Sequence, residues 1–151
     1  MLKYDNYDIT FQEIPDEVCL YITLTGCPIH CPECNSKWLW EDTGTELTFE
    51  ELSKIIDKNS GITCIVFGGG DNDQNYIKFL SNRIRSKYPE LKIAFYSGDK
   101  NINLTLCNYL DYYKIGPFDS KYGPLNNSMT NQRLYKVIEN KLIDITNKFW
   151  K

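Results

Sequence analysis

Apolar and polar residues are distributed along this chain in two kinds of segment. Nearly continuous apolar runs cover residues 18–25, 62–67, 91–96 and 112–115. They are rich in Val, Ile, Phe and Tyr, which predicts strands buried on both faces, as inside a parallel sheet. Between them the apolar residues take a helical period. Leu52, Ile55 and Ile56 form one such face, in a helix that Thr48 opens with Glu51 as a capping box and that runs to about Asn59, before Gly61. Ile77, Leu80, Ile84 and Tyr88 form the stripe of a second helix over residues 75–88, with Pro89 behind it. Residues 103–110 predict a short third helix. Residues 7–11 predict a short edge strand at the start, and residues 135–138 and 142–145 a terminal hairpin around Asn140-Lys141. Residues 116–131 form a long polar loop.

Strands alternating with helices predict an α/β fold with a mainly parallel sheet. The units are too few for a closed eight-fold barrel. The expectation is an open partial (β/α) barrel with a C-terminal hairpin. No repeat, low-complexity tract or linker divides the chain, so one domain is expected over residues 1–151.

Candidate chemistry starts where the first buried run ends. Cys27, Cys31 and Cys34 follow Gly26 at i, i+4 and i+7. That spacing suits one helix face, but Pro28 and Pro32 each follow a cysteine and push it out of the α region. The stretch therefore reads as a loop with three thiols converging on a metal centre. Soft sulfur ligands select iron–sulfur clusters, zinc or copper(I). On a four-iron cluster, three cysteines leave one iron open to a ligand that is not protein. The chain's single histidine, His30, is expected to line this loop or to donate to a sulfur. Trp38, Leu39 and Trp40 are expected to cap the core, with shielding of the metal centre from water as the other reading. Cys19, Cys64 and Cys107 lie in apolar segments and are expected to be core residues.

A second signal is Gly68-Gly69-Gly70-Asp71, at the end of the second buried run. A plain turn needs one glycine, so three point to close approach of a ligand. A side chain at Gly70 is then expected to disturb ligand binding more than folding. Asp71 either caps the next helix or accepts a hydrogen bond, and capping is the expectation. Motifs after the first, second and third strands fall at C-terminal strand ends, where parallel sheets bind ligands.

Composition narrows the function. The net charge of -3 argues against a nucleic-acid binder. No apolar stretch is long enough to cross a bilayer, and the N-terminus has no signal-peptide pattern, so a cytoplasmic location is expected.

The triad Cys27, Cys31 and Cys34, in a loop after the first barrel strand, resembles the signature of the radical S-adenosylmethionine enzymes. Gly68-Gly69-Gly70-Asp71 resembles the superfamily's glycine motif. Gly116-Pro117-Phe118, followed by Asn131-Gln132-Arg133 in a short chain, is similar to the activating proteins of anaerobic ribonucleoside-triphosphate reductase, which are glycyl-radical-enzyme activases. The resemblance implies a 4Fe-4S cluster held by Cys27, Cys31 and Cys34, with S-adenosyl-L-methionine chelating the open iron. It implies cofactor contacts at Glu33, Cys34 and Asn35, at Gly69, Gly70 and Asp71, and at Ser97 and Gly98. It implies reductive cleavage to methionine and a 5′-deoxyadenosyl radical, with radical chemistry carried by cluster and cofactor rather than by a catalytic side chain. It implies two partners: the reductase large subunit, as a protein substrate that receives a glycyl radical, and a one-electron donor such as flavodoxin or ferredoxin.

A domain this short has little left to build a lid, so a protein substrate is expected to close the open side, with residues 116–131 as the contact loop. Two other readings stay open. One is a compact radical S-adenosylmethionine enzyme acting on a small molecule, similar to deazapurine synthases. The other is a zinc-binding interaction module, against which stands the presence of only one Cys-x2-Cys pair, Cys31 and Cys34.

Overall fold

The computed structural model describes residues 2–11, 13–26, 44–116 and 128–149. The cysteine triad, His30, Glu33, Asn35, Trp38, Leu39 and Trp40 lie outside the described residues, as do residues 117–127 of the polar loop.

The apolar runs become the centre of a sheet. Strands β2 (Cys19–Leu24), β4 (Cys64–Gly68), β5 (Lys92–Tyr96) and β6 (Tyr112–Ile115) lie side by side and parallel. Strand β1 (Lys3–Thr10) adds antiparallel to β2, and the two-residue β3 (Thr45–Glu46) adds antiparallel to β1. At the other side β7 (Arg133–Ile138) is antiparallel to β6, and β8 (Lys141–Asp144) to β7. Among the described residues these form one eight-stranded sheet in the order β3-β1-β2-β4-β5-β6-β7-β8, which does not close. The open α/β architecture with its terminal hairpin is therefore as expected, with antiparallel strands on both margins of the parallel centre.

Several details differ from the sequence reading: the third helix is a single turn, Leu104–Cys107, where residues 103–110 were expected, and β3 was not foreseen. The first strand is longer than residues 7–11 and is not an edge, because β3 pairs on its far side. The hairpin turns at Glu139-Asn140, not Asn140-Lys141. Both turn residues have positive φ, +50° and +63°, as a two-residue hairpin loop that matches strand twist requires.

Alternation along the parallel strands sorts side chains onto two faces. Leu20, Ile22, Leu24, Ile65, Phe67, Ile93, Phe95 and Tyr113 face the helices. Helix α1 (Phe49–Lys58) contributes Leu52, Ile55 and Ile56 to that core, and α2 (Gln74–Lys87) contributes Ile77, Leu80 and Ile84. The short α3 (Leu104–Cys107) adds Leu106 and Cys107. The opposite face carries Cys19, Cys64, Val66, Ala94 and Tyr112, covered by Ile14, Leu134, Ile145 and Phe149. This two-sided burial is why the four runs read as continuously apolar. Among the described residues, no helix is long and apolar enough to cross a membrane.

Local signals placed the helices. Thr48 Oγ1 accepts from the Glu51 amide at 3.0 Å. The Glu51 carboxylate accepts from the Tyr4 hydroxyl at 2.8 Å, tying the helix start to β1. Tyr88 ends α2, and its hydroxyl donates to Asp57 at 2.8 Å.

The Thr48 cap supports a testable value. Thr48→Ala leaves the Glu51 amide without its acceptor and is expected to cost about 1 kcal/mol. Urea denaturation should show a lower midpoint at unchanged slope. An unchanged midpoint would mean that solvent caps α1 as well as Thr48 does.

Candidate functional site

Parallel pairing brings the sequence motifs to one edge. Thr23, Gly68, Tyr96 and Lys114 form a single row across β2, β4, β5 and β6. The motif residues lie just past it: Gly69-Gly70-Asp71 after β4, Ser97-Gly98 after β5, and Gly116 after β6. Strand β2 ends at Leu24, three residues before Cys27.

Each glycine of the triple run has a reason within the protein. A Cβ on Gly68 would fall into the Tyr21 ring. Gly69 and Gly70 have φ of +98° and +101°, where L side chains are strained. A Cβ on Gly69 would lie 3.4 Å from the Leu24 carbonyl oxygen. A Cβ on Gly70 would lie 3.0 Å from Leu24 Cδ1 and 3.1 Å from Ile77 Cδ1. The turn therefore rests on the end of β2, which leads into the cysteine loop. The Gly69 amide donates to the Tyr96 carbonyl at 3.0 Å.

Asp71 does not cap α2. That role falls to Asp73, whose Oδ1 accepts from the Tyr76 amide at 3.2 Å. A 3₁₀ turn, Asp71–Asp73, separates the glycines from the helix and shifts the cap by two residues. Asp71 instead accepts from the Ser97 hydroxyl at 2.5 Å, from the Gly98 amide at 2.9 Å and from Gln74 Nε2 at 3.1 Å. The structure thus brings five of the expected contact residues, Gly69, Gly70, Asp71, Ser97 and Gly98, into one hydrogen-bonded edge. The other three, Glu33, Cys34 and Asn35, lie outside the described residues, as do Cys27 and Cys31.

The two parts of the C-terminal motif also meet. Gln132 Nε2 donates to the Gly116 carbonyl at 3.2 Å, and the Gly116 amide donates to the Asp99 carbonyl at 2.8 Å. Gly116 has φ +99°, and a Cβ there would lie 3.2 Å from the Asn131 carbonyl oxygen.

Sequence reasoning missed the groups on the face away from the helices. Tyr21 and Tyr96 meet edge to face across Gly68, with ring centroids 5.9 Å apart. Lys114 Nζ lies 5.5 Å from the Tyr96 ring centroid and donates to the Gly116 carbonyl at 3.3 Å. The Tyr96 hydroxyl donates to the Glu13 carbonyl through a short hydrogen bond. Burial, and after it the Glu13 charge, raises both phenols well above their ordinary range. Burial also raises the Glu13 carboxyl, against the opposing pull of Lys114. Strict alternation along β2, β5 and β6 was the signal that could have grouped these residues.

Cys19 and Cys64 are register partners on β2 and β4. They are fully buried and free, and Cys107 is buried and free near α3. A hydrogen bond with Cys19, and after it burial, holds the Cys64 thiol far above its ordinary range. A thiol that stays protonated is a poor metal ligand. The expectation that these three cysteines are core residues holds for their placement. Among the described residues no cluster of His, Cys, Asp or Glu could hold a metal.

The contacts at Gly70 reverse one expectation. Gly70→Val would press into Leu24 and Ile77 and adopt a disfavoured φ, so it should damage folding directly. A loss of about 1–3 kcal/mol is expected from overpacking alone. Gly61→Ala is the control, since Gly61 has φ +92° and nothing within 4 Å of an added Cβ. Equal shifts of the urea midpoint in the two variants would reduce the effect to backbone strain.

The end of β2 lies against the glycine turn, and in sequence Cys27 follows that strand end by three residues. Comparison with known families agrees. The 4Fe-4S single cluster domain family matches residues 17–142, a span that includes Cys27, Cys31 and Cys34. Neither the curated proteins nor the solved structures give a match to this chain. A cluster family replaces zinc as the reading of the thiols, and the conclusion is that the chain belongs to the 4Fe-4S single cluster domain family, an enzyme domain of the radical S-adenosylmethionine type.

Proposed function

We propose that this protein is a radical S-adenosylmethionine activase that installs a glycyl radical on an anaerobic ribonucleoside-triphosphate reductase. The observation that supports it best is the meeting of Gly116 with Gln132 at the end of β6. Two motif fragments similar to those of such activases, sixteen residues apart, close the base of one loop beside the cofactor turn. A loop pinned at both ends there is well placed to meet a partner's glycine-bearing segment. The expected partners are the reductase large subunit and a one-electron donor such as flavodoxin or ferredoxin.

When bound, the cluster and S-adenosylmethionine supply the one-electron chemistry that ends in hydrogen abstraction from a glycine Cα of the partner. The chain's own residues do the positioning. Cys27, Cys31 and Cys34 hold the cluster, and the missing fourth thiol keeps one iron open. The backbone at Gly69 and Gly70 would reach the amino group of the cofactor. Tyr21 and Tyr96 give the non-helical face an aromatic wall, with the Lys114 cation against the Tyr96 ring.

Two experiments test this reading. Cys27→Ala, Cys31→Ala and Cys34→Ala should each remove the visible absorption of the reconstituted cluster, whereas Cys19→Ala, Cys64→Ala and Cys107→Ala should keep it. A colourless Cys64→Ala protein would break this division of the six cysteines. Separately, the reduced protein with S-adenosylmethionine and an anaerobic reductase should yield a glycyl radical doublet by electron paramagnetic resonance. If the reductase gives no doublet, while a small molecule exchanges hydrogen with the cofactor's 5′ carbon, the activase reading fails and a small-molecule enzyme takes its place.

A further inference from the structure

We infer that Asp71 is a positioning residue: its carboxylate locks the glycine turn against the loop after β5, and it does not itself bind S-adenosylmethionine. The argument begins with a gap in what the glycines can do. Gly69 and Gly70 permit the left-handed backbone at φ +98° and +101°, but permission is not selection. Glycine reaches both signs of φ, so a turn built from it stays conformationally broad unless something outside it fixes the geometry. A broad turn binds its ligand weakly, because ordering is charged against binding.

Asp71 is the next residue, and it supplies the constraint. One carboxylate oxygen accepts from the Ser97 hydroxyl at 2.5 Å and from Gln74 Nε2 at 3.1 Å. The other accepts from the Gly98 amide at 2.9 Å. Three donors on a carboxylate with about four lone-pair sites leave little capacity for a ligand. The donors come from two directions, the end of β5 and the first residue of α2, so they fix position and not only distance. Hydrogen bonds to a charged group are the strong ones, and this carboxylate collects three.

The partners are held in turn. Ser97 is fully buried, and its Oγ accepts from the Asp99 amide at 2.9 Å. Gln74 Oε1 accepts from Asn103 Nδ2 at 2.7 Å. The Asp99 carbonyl accepts from the Gly116 amide at 2.8 Å. One carboxylate thus joins the loops after β4, β5 and β6. Ser97 and Gly98, expected as direct cofactor contacts, spend the hydroxyl and the amide on Asp71 and act on the cofactor through it.

A double-mutant cycle separates positioning from direct contact. S-adenosylmethionine is titrated anaerobically, by calorimetry, into cluster-reconstituted wild type, Asp71→Ala, Ser97→Ala and the double variant. Asp71→Ala is expected to weaken binding roughly ten- to a hundredfold, the usual range for residues that orient a ligand site from behind. Ser97→Ala should weaken it by a smaller factor, and the double variant should bind no worse than Asp71→Ala alone. The cofactor-induced change in the electron paramagnetic resonance spectrum of the reduced cluster should fade in the same order. Thermal unfolding of each protein is followed in parallel. If Asp71→Ala does not retain its cluster, Asp71→Asn takes its place in the cycle, since it keeps one acceptor oxygen. Three results would overturn the inference: unchanged affinity in Ser97→Ala beside a large loss in Asp71→Ala, which makes Asp71 a ligand; losses that multiply in the double variant, which makes both residues ligands; or lowered unfolding midpoints with wild-type affinity, which makes the clamp a fold staple only.

Discussion

Parallel register is the constraint on which the rest depends. Thr23, Gly68, Tyr96 and Lys114 are forced into one row because β2, β4, β5 and β6 run the same way. Parallel neighbours cannot be joined by a tight turn and need a crossover, here mostly helical. The three helices all bury side chains in the core of one face. That arrangement sends every strand-to-helix loop to the same edge and leaves the other face to be covered by Ile14, Leu134, Ile145 and Phe149. It also explains why the sheet stops. The antiparallel β1 and β7 reverse the strand direction on either side, so the crossover pattern cannot continue into a closed barrel.

Carboxylates satisfy the backbone at both ends of this parallel centre. Asp71 serves the C-terminal edge. At the opposite edge Asp111 accepts from the Ile93 amide at 2.9 Å and pairs with Arg85 at 2.8 Å. Glu17 accepts from the Thr63 hydroxyl at 2.7 Å and the Tyr112 hydroxyl at 2.8 Å, linking the approach to β2 with β4 and β6. Strand ends in a parallel sheet leave amides beyond the last ladder bond, and an unpaired one costs about 1–3 kcal/mol when buried. A carboxylate that spans two loops answers several donors at once and fixes their spacing. Fold maintenance and site construction therefore use the same residue type in the same kind of place.

Much of this was legible in the sequence, for physical reasons that differ between residues. The four buried strands could be read because burial on both faces leaves no polar alternation to confuse them. Thr48 could be read because its acceptor lies three residues from its donor. The cysteine triad was legible as chemistry, since three thiols in a proline-broken loop have few other uses. Strand β1 was read too short because only Tyr4 and Tyr7 of it pack against the core, among Lys, Asp and Asn. Strand β3 has two residues and exists only through its pairing. Asp71 was read as the cap of α2, and the 3₁₀ turn that hands this role to Asp73 leaves no local signal in the sequence. The glycine run pointed to a ligand, and the structure adds a protein contact or a backbone angle for each of its members. The Thr23, Gly68, Tyr96 and Lys114 row was not legible, because strand register is a long-range property that local pattern does not contain, although alternation does put Tyr21 on the same face of β2 as Thr23.

That row bears on how the site tolerates its own chemistry. The non-helical face descends from Thr23 and Gly68 through Tyr21, Val66, Ala94 and Tyr112 to Cys19 and Cys64. Gly68 and Cys64 are four residues apart on β4, about 13 Å at the usual strand rise. Thiols are ready hydrogen donors and soft metal ligands, so two of them facing the reactive edge would compete with both cluster assembly and hydrogen abstraction. The Tyr21 ring and the Val66 side chain fill the space between, and the hydrogen bond between Cys19 and Cys64 keeps the Cys64 thiol protonated. The wall nearest the motif loops is instead built from Gly68, Tyr21 and Tyr96, with the Lys114 cation set against the Tyr96 ring. The same Lys114 cation also pulls on the Glu13 carboxyl, against the rise that burial gives it. The order of residues along β2 and β4 thus sets Cys19 and Cys64 at the far end of these strands from the glycine turn.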